Sequence, residues 1–240
     1  MRNLFLLVLS VAILQSCTKV WHTAQSDYTA HQMDSLAMPS SSIESMVAPY
    51  KEKLDGEMNK VIANCPEDML KDRPEGTLGN WMSDAIYDKA TELSEVPIDF
   101  AMQNSGGIRI PMLRKGDITK GKIYELMPFD NALVVVHIDK ELLLTFLDRV
   151  ARSGGWPVSK NFYMKIDDSK VAEVKIGGKE LEDRVYNIAL PDYVANGGSD
   201  CKFLEGSDRT TYPVLLRDMF VDRAIRDKVI ASKIEGRIVR

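Results

Sequence analysis

Apolar positions recur at helical spacing in four stretches of the chain. Met46, Tyr50 and Leu54 share one face, and Trp81, Ala85, Ile86 and Ala90 share another. Leu142, Leu143, Phe146, Leu147 and Val150 make a third, behind a helix start at Asp139 or Lys140. Val214, Leu215, Met219, Ala224 and Ile225 make a fourth, predicting a surface-packed helix near the end. Other stretches read as strands. Val96 to Met102 is an apolar run, Leu133 to Ile138 is rich in β-branched residues, and Val185 to Leu190 is a further buried run. Phe162 to Ile166 and Val171 to Ile176 alternate across Asp167-Asp168-Ser169-Lys170, the pattern of a hairpin. Shorter strands are expected at residues 60–63 and 234–240, and a short strand or a helix cap near Ile118-Thr119.

The first residues follow a different rule. Arg2 precedes a nearly unbroken apolar run from Leu4 to Leu14, too short to span a bilayer and of the length of a secretory leader. Leu14-Gln15-Ser16-Cys17 closes it, and Cys17 looks like the acceptor of a bacterial lipoprotein signal. An ordinary secretory leader that contains a cysteine is the alternative. The expected organisation is a signal peptide over 1–16, a Ser/Thr-rich tether over 17–42, and a folded domain over 43–240. Export follows on either reading, and lipid on Cys17 would hold the domain to a membrane surface. With 240 residues and 45% hydrophobic content, the chain can bury a real core. Its formal net charge of −4 argues against a nucleic-acid partner.

Candidate chemistry gathers at polar elbows that follow buried strands. Asn104-Ser105-Gly106-Gly107-Ile108-Arg109 closes the Val96–Met102 run, with an amide on one side and a guanidinium on the other. Paired glycines there allow close approach of a ligand to the backbone, and an ordinary turn is the plainer alternative. Pro191 to Asp200, containing Asn196-Gly197-Gly198-Ser199, is a second elbow after Val185–Leu190. His137 is one of three histidines, the other two lie in the tether, and it is expected to be a half-exposed strand residue. No metal cluster can be assembled from them, and no nucleophile elbow, phosphate loop or dinucleotide fingerprint occurs. Cys65 and Cys201 have no zinc-site spacing; pairing between them is open, and a structural role is the default.

Four stretches in order resemble the C-terminal domain of the 5′-nucleotidase family: residues 73–85, Asn104–Arg109, Met127-Pro128-Phe129-Asp130-Asn131, and Tyr186–Gly198. The resemblance spans about residues 43–240. It implies an α+β fold, a mixed sheet with packed helices, that recognises the nucleoside part of a nucleotide. By the resemblance Phe129 and Tyr193 would clamp the base, Asn104 would meet its edge, and Gly106 and Gly107 would let the backbone come near. Arg109, with Arg73, would face the ribose or phosphate side. Two departures stand out: Ser199 holds the place of the family's ribose-binding Asp, with Asp200 next to it, and Pro74 separates Arg73 from Glu75. The family's metallophosphatase domain has no counterpart in these residues. No cofactor is therefore expected in this chain, and divalent metals are expected only in a partner phosphatase. The expected function is the recognition half of a nucleotidase-type phosphohydrolase working with a separately encoded catalytic partner. The alternative is a stand-alone nucleoside-binding lipoprotein.

Overall fold

The computed structural model describes residues 41–240; the predicted leader, Cys17 and the tether up to residue 40 lie outside the described residues. Residues 47–240 form one compact unit, and of the other unit only Ser41–Met46 is described. Helix α1 (Ser41–Met58) forms where its spacing predicts. Among the described residues nothing buries its apolar face: Met46, Tyr50 and Leu54 are exposed, and no residue of the helix is buried. The first buried side chain among the described residues is Ala63, in β1 (Val61–Cys65).

The chain continues through β2 (Met69–Leu70), helix α2 (Thr77–Leu93), β3 (Phe100–Ala101), β4 (Met112–Leu113), β5 (Gly116–Thr119) and helix α3 (Lys120–Leu126). It then runs through β6 (Ala132–Ile138), helix α4 (Lys140–Arg152), β7 (Phe162–Asp167), β8 (Lys170–Ile176), β9 (Lys179–Glu180) and β10 (Tyr186–Pro191). The one-turn helix α5 (Asp192–Ala195), β11 (Arg209–Leu215), helix α6 (Leu216–Asp227) and β12 (Ile238–Val239) complete it. The central sheet has the order β11-β6-β10-β3, in which only the β10–β3 pairing is parallel. A second sheet has the order β12-β7-β8-β9, and two-stranded ribbons pair β1 with β5 and β2 with β4. This is an α+β fold with mixed sheets and packed helices.

The central sheet separates two apolar cores by strand alternation. Leu133 and Val135 of β6 join Leu78, Trp81, Met82, Ile86 and Phe220 on one face. Val134, Val136 and Ile138 join Phe100, Phe146, Leu147, Trp156 and Phe162 on the other. His137 has the parity of Val135, is half-buried, and bonds Asn187 and Thr210 at 2.8 and 3.1 Å, a strand residue held by its neighbours. Two helix starts carry side-chain caps. Asp139 caps α4 by accepting from Leu142 N at 2.8 Å, and Thr119 ends β5 while capping α3 through Lys122 N at 3.2 Å. In the β7–β8 hairpin Asp168 and Ser169 both take positive φ, as a two-residue type I′ turn requires.

Three expected elements differ, and the strand expected at 234–240 pairs only at Ile238 and Val239. The Val96–Met102 run pairs as a strand only at Phe100 and Ala101. Pro97 cannot donate to a ladder, and Asp99 instead accepts from Asn187 N and Arg184. Val214 and Leu215 belong to β11 rather than to the last helix, because Thr210, Thr211 and Leu215 pair with β6. Apolar spacing alone cannot separate a strand that runs directly into a helix.

The first resembling stretch is partly a structural clasp. Glu75 accepts from the main-chain N–H groups of Glu235, Gly236 and Arg237 at 2.9, 2.8 and 3.0 Å, and from Asn80 at 2.6 Å. The buried Arg237 grips Asp84 through two bonds of 2.9 and 2.8 Å and donates to Val158 O at 2.8 Å. The C-terminal segment is thereby fastened to α2.

Candidate functional site

Both polar elbows sit at the ends of neighbouring strands of the central sheet, β3 and β10, which run parallel. Parallel strands deliver their C-terminal ends to one edge, where a crevice can form. Asn104, Gly106, Gly107 and Arg109 from the first elbow and Tyr193 and Ser199 from the second line a cavity of about 300 Å³. Phe129 and Asn131, from the loop between α3 and β6, complete it. Arg217 holds that loop by donating to Asp130 at 2.6 Å, and Leu216 N donates to Asn131 O at 2.9 Å. The lining contains two aromatic rings, two amides, one guanidinium and no carboxylate.

The rings keep a face available. Phe129 is 36% and Tyr193 50% exposed; among the aromatic side chains of the described residues only Tyr50 is also exposed to this degree. Arg109 lies 5.7 Å from the centre of the Phe129 ring and donates to Gly106 O at 3.4 Å, which sets its guanidinium at the cavity wall. The Tyr193 ring folds over Gly198, where any Cβ would overlap its atoms, and the Tyr193 hydroxyl accepts from Ser199 N at 3.3 Å. Gly198 is thus a close-approach glycine. Asn104, only 3% exposed, donates from Nδ2 to Ser199 Oγ at 3.1 Å and ties the two elbows together.

Gly106 and Gly107 lie in a short 3₁₀ turn, and neither is among the glycines with positive φ. Gly106 lines the cavity. Gly107 also lines it, but its missing side chain is explained by the Gln103 and Asn104 amides, which a Cβ there would overlap or crowd.

The family model for the 5′-nucleotidase C-terminal domain matches residues 61–206. This chain belongs to that family. It is 29% identical over 194 residues to the 5′-nucleotidase of Vibrio parahaemolyticus, covering 77% of this chain and 32% of the relative. Against the trifunctional nucleotide phosphoesterase protein YfkN of Bacillus subtilis it is 28% identical over 236 residues, covering 90% of this chain and 15% of the relative. It therefore spans a third or less of these curated relatives. Among solved structures, a 5′-nucleotidase precursor from Thermus thermophilus superposes with a TM-score of 0.72 at 26% identity, over 82% of this chain and 42% of that one.

Within this 5′-nucleotidase C-terminal domain, six of the eight expected site residues line one cavity and two do not. Asp200 is the first of the two. Ser199 and Asp200 both take positive φ, 57° and 61°, and this turn sends the Asp200 carboxylate out to Arg149 at 2.9 Å. Ser199 lines the cavity instead. Arg73 is the second: with Lys71, Asp72, Gly79, Ser105 and Pro157 it lines a separate cavity, against the Ser105 side of the elbow. Lys71 donates there to Ile108 O at 2.9 Å, and partial burial, with Arg73 and Arg109 nearby, holds its ammonium below the usual lysine range. Asn131 lines the main cavity although the resemblance gives it no role of its own; a polar residue two places after a candidate clamp ring is the available signal.

No three His, Cys, Asp or Glu side chains among the described residues are grouped so as to hold a metal ion. The described residues do not fit a two-metal centre, which needs a shared cluster of such ligands.

Proposed function

We propose that this domain binds the nucleoside part of a nucleotide, with the base between Phe129 and Tyr193. The observation that carries the reading is the convergence of both part-exposed rings, Asn104 and Arg109 on one cavity. Every nucleobase offers a π-face, and one base–aromatic contact contributes about 1–3 kcal/mol. Asn104 and Asn131 supply donors and acceptors for the base edge, and Arg109 supplies a cation for the ribose or phosphate side. Membership of the 5′-nucleotidase C-terminal domain family supports the same ligand class. Calorimetric titration of the purified chain with adenosine, AMP and UMP tests it. Saturable binding weakened about tenfold or more by Phe129→Ala and by Tyr193→Ala is the expected result. Binding that both variants leave intact would place the ligand elsewhere.

The reading extends to a partner. A separately encoded metallophosphatase would supply the metals while this chain supplies recognition, and the pair would hydrolyse nucleotides outside the inner membrane. The chain alone, with Mg²⁺ or Mn²⁺ and AMP, is then expected to release no phosphate above buffer. Metal-dependent turnover lost in Phe129→Ala would contradict the division of labour. The leader-like run ending in Cys17 supports lipid attachment at a membrane surface. On that view Cys17→Ser moves the protein from the membrane to the soluble fraction of exporting cells; unchanged membrane association would exclude lipid at Cys17.

A further inference from the structure

Beneath the first elbow lies Gln103, with no exposed surface. Its Nε2 is 3.2 Å from the main-chain oxygen of Asn104 and 3.0 Å from Asn104 Oδ1. Its Oε1 has no hydrogen-bond partner among the described residues. Two linked amides can in principle satisfy each other in either of two orientations, since each has a donor end and an acceptor end. Here the main-chain carbonyl breaks the tie. A carbonyl oxygen only accepts, so the Gln103 atom facing it must be the nitrogen. That nitrogen then requires Oδ1 of Asn104 on its side and sends Nδ2 of Asn104 the other way, to Ser199 Oγ at 3.1 Å. Turning both amides over would set Gln103 Oε1 against the Asn104 carbonyl oxygen, two acceptors with no proton between them.

We propose that Gln103 is a positioning residue that locks Asn104 with its N–H₂ group toward the ligand cavity. One of its two protons goes to Ser199 Oγ, and the second is left for an acceptor on the ligand. The site therefore selects a base edge presenting a ring nitrogen or carbonyl oxygen to Asn104. Gly107 belongs to the same device: a Cβ there would overlap Gln103 Nε2 and come within 3.0 Å of Asn104 Oδ1, so the lock forbids a side chain at that position.

The ligand side of this inference rests on the nucleoside reading, so its test has two arms. In the ligand-free protein, the Asn104 side-chain amide signals are assigned by their loss in Asn104→Ser. Their protons should show nuclear Overhauser contacts to the Ser199 β protons. Contacts to the Gln103 side chain instead would overturn the lock, whatever the ligand is. In the second arm, adenosine is compared with its 1-, 3- and 7-deaza analogues. Removing one particular ring nitrogen should weaken binding about tenfold, the effect of one hydrogen bond. Gln103→Met keeps the volume and frees Asn104; Gln103→Glu puts an acceptor where the nitrogen was. Both should shrink that difference to about threefold or less while the melting curve stays cooperative. A deaza penalty that persists unchanged in either folded variant overturns the proposal. If the wild type binds no nucleoside, the nucleoside reading fails, and the first arm still decides the lock.

Discussion

At the scale of single residues, the cavity is shaped by what each side chain prevents as much as by what it offers. The Tyr193 ring lies on Gly198, and its hydroxyl is held by Ser199 N. A Cβ at Gly198 would overlap the Tyr193 main-chain oxygen as well as its ring, so Gly198→Ala should displace Tyr193 as a whole and lower nucleoside affinity about tenfold or more, with circular dichroism showing an intact fold. Affinity equal to wild type would mean that the ring needs no such seat. The residues carrying the resemblance are legible because aromatic, amide and guanidinium groups at strand ends are recognisable without coordinates. Direction is not legible. Ser199 and Asp200 are neighbours in the chain, and only their left-handed backbone turns the hydroxyl inward and the carboxylate outward. Gln103 is hidden in the same way, since its amide works below the elbow and its one-residue offset from Asn104 says nothing about burial.

Elements are legible where one rhythm persists. Helix α4, with Asp139 ahead of it and Arg149 and Arg152 in its last turn, satisfies spacing, cap and dipole together. The end of strand β11 passes for helix because its partner β6 lies more than seventy residues away, and pairing at that distance leaves no local mark. The same holds for Glu75, a motif residue whose three main-chain partners stand at the far end of the chain. Glu75→Ala should free those N–H groups and cost about 2 kcal/mol, lowering the melting temperature by about 4–8 °C. A shift below about one degree would show that the clasp contributes nothing to stability.

For the whole molecule, the sheet with a core on either face also fixes the state of the thiols. Cys65 lies in one core and Cys201 in the other, both free and buried. Burial pushes the Cys201 thiol up to about 11 from an ordinary 9.0. The folded protein thus holds this proton more tightly than the unfolded one. The resulting stabilisation is full below about pH 9 and is lost as pH rises toward 11. Both thiols should resist a soluble disulfide reagent at about pH 8 and react on unfolding; prompt reaction in the native state would contradict their burial. The two-core arrangement is half-visible in the sequence, as the alternation of Leu133 to Ile138, but which helix covers which face depends on contacts that sequence order does not reveal.

The same architecture brings the ends of two parallel strands and the Phe129 loop to one crevice, the place proposed for a nucleoside. The most direct test is a crystal structure of the chain with AMP. The base is expected stacked between Phe129 and Tyr193, with an acceptor atom of its edge facing Asn104 Nδ2 and the phosphate on the Arg109 side. A base bound outside this cavity, with the two rings left bare, would contradict it.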